Sequence, residues 1–397
     1  QIIEQALKIA RHIGYESAGT IEFVVAPDHQ FYFLEVNTRL QVEHPVTESV
    51  YGVDLVELMI LVAAGQEIPF HQESLQPQGH AIEVRLYAED ADNDFLPSSG
   101  HLIQYCHPVE DEFLRIDSGI REGDNISIYY DPMIAKVIVH APDRKTTLKH
   151  LQKYLGQFII EGIECNLNYL QRLLADPDVM DARLRTNLIE DKAKDLLSHN
   201  HSFENLPHEA QSLIACTSLA LKIAAEPVYE SETNWVCTVN DHNIHLSYMG
   251  AGQIKIKDKL FITSFTWVYQ RALFECQIND YLIIGKVQVK GGKFQLTIQG
   301  QQFQIFVERE HIWSLLKYLP QRKPDINTHL IRSPMPGVLL SLHVTVGDKI
   351  KQGQAIAVIE AMKMENTLKA PAEGVITEIT AIPGESLLKS QVIARFE

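Results

Sequence analysis

Nowhere in these 397 residues does an apolar run approach the ~18 that a membrane-spanning helix needs. Basic charge is scarce: 35 Lys and Arg stand against 51 Asp and Glu, so the surface as a whole suits neither nucleic acid nor an anionic membrane. Any anionic ligand has to be met by local basic groups. Cysteine is scarce too. Cys106, Cys165, Cys216, Cys237 and Cys276 show no paired spacing, which excludes a disulfide framework and a zinc site. They read as reduced thiols in a reducing compartment, cytoplasm or mitochondrial matrix. His199-Asn200-His201 lacks companion ligands and reads as loop. No Gly-rich phosphate loop is present. Initiator methionine and signal segment are missing as well: Gln1-Ile2-Ile3-Glu4-Gln5-Ala6-Leu7 reads as the inside of an amphipathic helix. The expectation is a fragment that begins within a domain.

What remains is ordinary in composition, 45% apolar and 22% charged, and long enough for two to four domains. One feature organises it. Gly337-Val338 recurs as Gly374-Val375, Gly347-Asp348 as Gly384-Glu385, and Gln354, Ile356 and Ala357 as Gln391, Ile393 and Ala394, all at one offset. Self-similarity at a fixed period means two copies of one unit. Each copy alternates in short strands punctuated by Gly, which predicts a small flattened barrel with Lys363 on an exposed hairpin tip at the junction.

An isolated lysine there is a solvated turn residue. This one lies in Glu360-Ala361-Met362-Lys363-Met364-Glu365, and Ser333-Pro334-Met335-Pro336-Gly337 opens the first copy. Together these residues resemble the biotinyl domain of biotin-dependent carboxylases, marked by Ala-Met-Lys-Met. The resemblance implies that Lys363 carries biotin and is reachable by a biotin protein ligase. Lipoyl domains share the fold but usually carry Asp-Lys-Ala at the tip.

At the other end, Gly19-Thr20-Ile21-Glu22-Phe23-Val24-Val25 and Phe31-Tyr32-Phe33-Leu34-Glu35-Val36-Asn37 flank a Pro-Asp turn and predict a hairpin. A turn centred on Asp28-His29 puts Glu22 across from Glu35. Like charges placed opposite destabilise a sheet, so something positive belongs between them. If the chain stays extended, a period of two sets Glu35, Asn37, Arg39, Gln41 and Glu43 on one face. A solvated outer face explains such alternation equally well, but this face holds only groups that ligate hard cations or clamp anions. Glu22, Glu35 and Asn37 suit Mg²⁺ or Mn²⁺ completed by phosphate oxygens. Arg39 offers a planar fork to a small oxyanion, and Glu43 beside it suits a base.

With His44-Pro45-Val46-Thr47-Glu48, these residues resemble the C-terminal half of the ATP-grasp site of biotin carboxylases. The resemblance implies that Glu22 and Glu35 bind metal–ATP with Asn37, that Arg39, Gln41 and Val42 hold bicarbonate, and that Glu43 deprotonates it. Leu114-Arg115-Ile116-Asp117-Ser118-Gly119 is similar to the segment whose arginine stabilises the biotin enolate, which assigns that role to Arg115. The family's adenine- and phosphate-binding half precedes this region. The expectation is that this stretch alone does not carboxylate biotin.

Scaffold elements are predicted as helices at 53–64, 145–155 and 167–174 and strands at 79–88 and 127–139. Pro207 opens a helix at 208–225 that is apolar round much of its surface. Strands follow at 234–239, 244–249, 253–256, 273–278, 281–289, 294–299 and 303–307, so the economical fold is a helix wrapped by an antiparallel barrel. The arrangement is similar to the subunit-contacting domain of acyl-CoA carboxylases. A Pro- and charge-rich tether leads from it to the repeat.

The expected architecture is multidomain α+β: the C-terminal part of an ATP-grasp biotin carboxylase (1–195), a helix-in-barrel subunit-contact domain (200–318), a linker (319–329) and an all-β biotinyl domain (330–397). The resemblance implies a biotin-bearing subunit of an acyl-CoA carboxylase, nearest the propionyl-CoA branch, with methylcrotonyl-CoA or acetyl-CoA as alternatives. Its cofactors would be biotin, ATP, Mg²⁺ or Mn²⁺ and bicarbonate, and its partner a carboxyltransferase β subunit in an α6β6 assembly. Two rivals stand beside it: an ATP-grasp ligase fused to a lipoyl-type carrier, and a carrier and assembly module without catalysis.

Overall fold

The computed structural model describes residues 1–26, 28–127, 129–197, 203–226, 233–267, 272–318, 330–361 and 364–397. The expected boundary at 198–202, the linker at 319–329 and Lys363 lie outside the described residues. The chain falls into two compact units. One comprises Gln1–Arg85, Val109–Asp117 and Lys136–Leu151; the other comprises Leu86–Pro108, Ser118–Ala135 and Gln152–Glu397. Among the described residues, no helix is long and apolar enough to cross a membrane.

The first unit opens with α1 (Ile2–Ile13), ended by Gly14 at φ 61, and a hairpin of β1 (Thr20–Val25) and β2 (Phe31–Asn37). Helices α2 (His44–Tyr51) and α3 (Leu55–Ala63) follow; Asp54 caps α3 by accepting the Glu57 N–H at 2.8 Å. Strands β3 (His80–Tyr87), β4 (Leu114–Ser118) and β5 (Met133–Ala141) form a sheet with β5 in the middle. Central position explains why β5 reads as a nearly continuous apolar run, Ile134 to Val139 being buried. It begins later than the predicted 127–139. The Ser127 hydroxyl accepts the Tyr129 N–H and the Asp131 carboxylate accepts the Met133 N–H, local side-chain bonds that replace ladder pairing at Tyr129 and at the start of β5.

In the second unit, helix α4 (His208–Ala225) begins after Pro207 as predicted. Nine consecutive residues, Ile214–Lys222, are buried, and at 100° per residue they face every direction. Such a helix must be enclosed, and it is. A closed barrel surrounds it: β6 (Thr233–Val239), β7 (His242–Gly250), β8 (Gln253–Ile256), β9 (Lys259–Thr266), β10 (Leu273–Ile278), β11 (Tyr281–Lys290), β12 (Lys293–Ile298) and β13 (Gln301–Arg309). The sequence reading found seven strands and missed β9, whose Leu260 and Ile262 point out to solvent while Phe261 is buried. All five cysteines are unpaired. Cys216, Cys237 and Cys276 are inside the barrel, where burial pushes the thiols of Cys237 and Cys276 up to about 12. They are inert packing groups at neutral pH.

The C-terminal repeat folds as two four-stranded sheets. Its strands are β14 (Leu330–Arg332), β15 (Gly337–Leu342), β16 (Lys349–Ile350), β17 (Ala355–Ala361), β18 (Met364–Lys369), β19 (Gly374–Ile379), β20 (Ser386–Leu387) and β21 (Val392–Phe396). One sheet runs β14-β21-β19-β16 and the other β18-β17-β15-β20. Moving 37 residues along the sequence, Gly337 to Gly374, turns the first order into the second strand by strand. The bulge at Leu339/Ser341 recurs at Ile376/Glu378. Two small cores obey the same offset: Ile331, Val344, Ile350 and Ile356 fill one, and Leu368, Ala381, Leu387 and Ile393 fill the other. Gly337 and Gly374 are glycines for one reason. A Cβ would come within 2.6 Å of the Glu360 carbonyl in one copy and of the Phe396 ring in the other.

Candidate active site

The β1–β2 hairpin does pair Glu22 with Glu35, but not through a uniform register. Phe23 pairs with Phe33, so Leu34 is an extra residue, and this bulge restores the Glu22–Glu35 pair. The group between the two carboxylates is an amide. Asn37 Nδ2 donates to Glu22 Oε1 at 2.9 Å and to Glu35 Oε1 at 3.1 Å. Two carboxylate oxygens thus converge on one point beside a side chain that also carries a carbonyl. That is a donor set for a hard divalent cation.

The strand then ends, which corrects the expectation of an extended face from Glu35 to Glu43. Beyond Asn37 the chain turns so that Gln41 Nε2 reaches back to Glu22 Oε1 at 3.1 Å. Arg39 is exposed and donates to the neighbouring Leu40 carbonyl at 3.2 Å. Glu43 sits at the start of α2, where Pro45 in the first turn supplies a preset φ. Its carboxylate does not cap the helix. It accepts a bond from Arg85 Nη2 at 2.6 Å.

That arginine belongs to a polar stripe across the three-stranded sheet. Glu83 and Arg85 lie two apart on β3, Lys136 is on β5, and Arg115 and Asp117 lie two apart on β4. Lys136 Nζ, nearly buried, donates to the Val42 carbonyl at 3.1 Å and pairs with Asp117 Oδ2 at 3.1 Å. Arg115 grips Asp117 with its fork, Nε to Oδ1 at 2.8 Å and Nη2 to Oδ2 at 3.0 Å. Its Nη1 donates to Glu48 Oε2 at 2.7 Å. Glu48 is buried on α2, and its other oxygen accepts the Leu55 N–H at 2.8 Å. Burial would raise the Asp117 carboxyl, but the bonds from Arg115 and Lys136 outweigh it and hold Asp117 below the usual range. The Asp117 bond in turn holds the Arg115 guanidinium firmly charged. Of the five N–H donors of Arg115, these three bonds leave two for an oxyanion.

Glu83 differs from its neighbours. Both of its carboxyl oxygens are buried and have no hydrogen-bond partner. Burial pushes it up to about 7, with Lys136 and Arg85 acting against that and Glu43 and Asp117 with it.

The structure therefore gathers Glu22, Glu35, Asn37 and Gln41 into one cluster and ties Val42, Glu43 and Arg115 into another. Arg85, Lys136, Asp117 and Glu48 do the tying, and the sequence reading gave none of them a role. The signal for Arg85 was present, since Glu83-Val84-Arg85-Leu86 alternates charged with apolar residues. Lys136, set in an apolar run, gave none. Among the described residues, no group of three or more His, Cys, Asp or Glu could hold a metal ion, and the set expected from the sequence consists of two carboxylates bonded to one amide nitrogen. At the other end of the chain, β17 and β18 stay in register to Ala361–Met364. Glu360 and Glu365, paired one step before, are exposed.

Family models match in series along the chain. The carbamoyl-phosphate synthase L chain ATP-binding domain covers residues 1–71 and the biotin carboxylase C-terminal domain covers 83–191. The propionyl-coenzyme A carboxylase BT domain covers 223–322 and the biotin-requiring enzyme model covers 329–396. The propionyl-CoA carboxylase alpha chain of Ruegeria pomeroyi is 35% identical over 99% of this chain and 62% of its own length. The mitochondrial methylcrotonoyl-CoA carboxylase subunit alpha of Mus musculus is 33% identical over 99% of this chain and 58% of its own. A solved relative is the biotin carboxylase domain of Hydrogenobacter thermophilus 2-oxoglutarate carboxylase, in complex with MgADP, ADP and bicarbonate. It is 36% identical over 49% of this chain and 43% of its own, with a TM-score of 0.48. The chain spans about three fifths of the length of the curated relatives it matches.

Proposed function

Because the chain belongs to the family of biotin-bearing α chains of acyl-CoA carboxylases, we propose that it serves ATP- and bicarbonate-dependent carboxylation of biotin attached to Lys363. The observation that carries this reading is the convergence of Glu22 and Glu35 on one amide, beside a base held by Arg85, in a chain that ends in a duplicated hairpin domain. Glu22, Glu35 and Asn37 would hold Mg²⁺ or Mn²⁺, which supplies neutralisation of phosphate oxygens. Lys363 would hold biotin, which supplies a ureido nitrogen that accepts the carboxyl group. The register of β17 and β18 up to Ala361–Met364, flanked by exposed glutamates, fits a tip that a biotin protein ligase can reach.

The protein's own groups divide the remaining work. The Arg39 fork, the Gln41 amide and the Val42 main chain hold bicarbonate, and Lys136 fixes Val42 through its carbonyl. Glu43 takes the bicarbonate proton and makes its oxygen a stronger nucleophile toward phosphate. Arg115, clamped by Asp117 and Glu48, presents its two remaining donors where negative charge develops on the acceptor. The groups in this chain cover the metal–phosphate and bicarbonate end of the reaction, and we expect no bicarbonate-dependent ATP hydrolysis from this chain by itself; phosphate release measures it.

Transfer to an acyl-CoA falls to a carboxyltransferase β subunit, with propionyl-CoA as substrate and an α6β6 assembly. The match of residues 223–322 to the propionyl-coenzyme A carboxylase BT domain favours this branch. Methylcrotonoyl-CoA is the second reading, on the similar identity of that relative. Unpaired cysteines and these bacterial and mitochondrial relatives fit the cytoplasm or the mitochondrial matrix. The test is peptide mass mapping after co-expression with a biotin protein ligase. A biotin adduct on Lys363, absent from Lys363→Ala, is expected; an unmodified wild-type product would overturn the reading. Labelled bicarbonate offered to the assembled enzyme with propionyl-, methylcrotonoyl- and acetyl-CoA then ranks the substrates.

A further inference from the structure

Glu83 is a half-buried acid with both carboxyl oxygens shut from solvent, and the proposed reaction does not use it. Two cations face it, Arg85 from its own strand and Lys136 from β5, yet neither bonds to it. Arg85 reaches Glu43 at the start of α2, and Lys136 reaches Asp117 on β4 and the Val42 carbonyl. Arg115, Glu48 and His44 complete the charged surroundings. Arg115 is bound to Asp117 and Glu48, and His44 bonds to the Gln41 carbonyl with its other nitrogen 3.8 Å from Glu48. Leaving a charged carboxylate shut from water without a partner costs far more than leaving a neutral carboxyl unpaired. The neutral form is therefore the one compatible with this arrangement. Once charged, the same group would attract both cations, which already act on its carboxyl through space.

We propose that Glu83 is a positioning residue, protonated in the working site, whose ionisation competes with Glu43 for Arg85 and with Asp117 for Lys136. Releasing these bonds loosens the base and the support of Arg115 together, because Asp117 is shared between Lys136 and Arg115. The inference rests on the reading of Glu43 as the base only for its kinetic consequence; the competition itself is a property of the folded chain.

The wild-type chain, carrying ¹³C at glutamate carboxyls and ¹⁵N in arginine side chains, is titrated by NMR from about pH 5 to 9. One carboxyl resonance, missing from Glu83→Gln, is expected to titrate near 7, with the Arg85 Nε signal (assigned by Arg85→Lys) moving alongside it. In Glu83→Gln that movement of Arg85 should vanish. A Glu83 that titrates in the ordinary carboxylate range, or an Arg85 signal that stays still or moves equally in the variant, overturns the proposal. In the assembled carboxylase, the ratio of turnover at about pH 8 to that at about pH 6 should differ about threefold between wild type and Glu83→Gln. An enzyme that turns over with equal ratios overturns this inference and leaves Glu43 as the base. Coupled titration of Glu83 and Arg85 in an assembly without bicarbonate-dependent activity supports the inference and overturns the reading of function.

Discussion

The two clusters of the site are built by opposite means. Glu22, Glu35, Asn37 and Gln41 come from one hairpin and the turn after it, lie near the surface, and bond to one another over at most 19 residues of sequence. The second cluster joins Glu43 to Arg85, Val42 to Lys136 and Glu48 to Arg115, spans of 42, 94 and 67 residues, around two groups that are nearly buried. The first is local and solvated, so its members are replaceable at little cost to the fold. The second is a shared network in which one truncation strands a buried charge.

The sharpest way to break that contrast is Arg115→Ala. It leaves Glu48, 7% exposed, without its cationic partner. We expect a loss of about 2–3 kcal/mol, below the cost of a fully buried pair because Arg115 itself is 43% exposed and water can enter the vacated space. Thermal unfolding of the chain measures it, and turnover of the assembled carboxylase should fall at least ~10²-fold. Next comes Arg85→Met, which keeps length and removes charge. Both partners are substantially exposed, so stability should change by less than ~1 kcal/mol while bicarbonate-dependent turnover of the assembled carboxylase drops about 10- to 100-fold. A stability loss as large as that of Arg115→Ala would mean that Arg85, too, holds a buried charge in place; an Arg115→Ala loss no larger than that of Asn37→Ala would erase the contrast.

For the local cluster, Asn37→Ala should leave the unfolding temperature within a few degrees and weaken Mn²⁺ binding about tenfold by calorimetry. The smallest effect concerns pH. Glu83 keeps its proton to about 7 in the folded chain, above the ordinary 4.5 of an unfolded glutamate. Between those values the folded state binds more protons, so stability falls as pH rises through that window. Glu83→Gln should flatten the fall by roughly a degree or two in Tm between about pH 5 and 8, and an unchanged slope would remove Glu83 as its source.

The same contrast explains what could be read in advance. Helix α4 was legible to the residue because Pro207 marks its start and its apolar residues surround it on all sides. The biotinyl fold was legible because a repeat at fixed offset demands two equal cores, and the paired sets beginning Ile331/Leu368 and Ile350/Leu387 are those cores. The Glu22–Glu35 pair was also found, although Leu34 bulges out of the register that was assumed. Alternation could not show that the strand stops at Asn37, since Gln41 turns back only because Glu22 is there to accept its bond. Strand β9 escaped because its outward Leu260 and Ile262 blur the in–out pattern of a half-buried strand. Lys136 and Glu48 escaped because no local period reports a partner dozens of residues away, and the alternation around Arg85 marked a strand face without naming its partner.

The duplicated fold has one asymmetry. Leu330 pairs with Arg395 as Thr367 pairs with Val358, so the β14–β21 ladder is the twin of the β18–β17 ladder. One ladder is bridged at its end by the residues between Ala361 and Met364; the corresponding end of the other is where the polypeptide enters at β14 and leaves at β21. The pairs Leu330–Arg395 and Thr367–Val358 are thus equivalent rungs of twin ladders, and the proposed attachment of biotin at Lys363 would put the carrier turn at the end equivalent to the one where β14 begins.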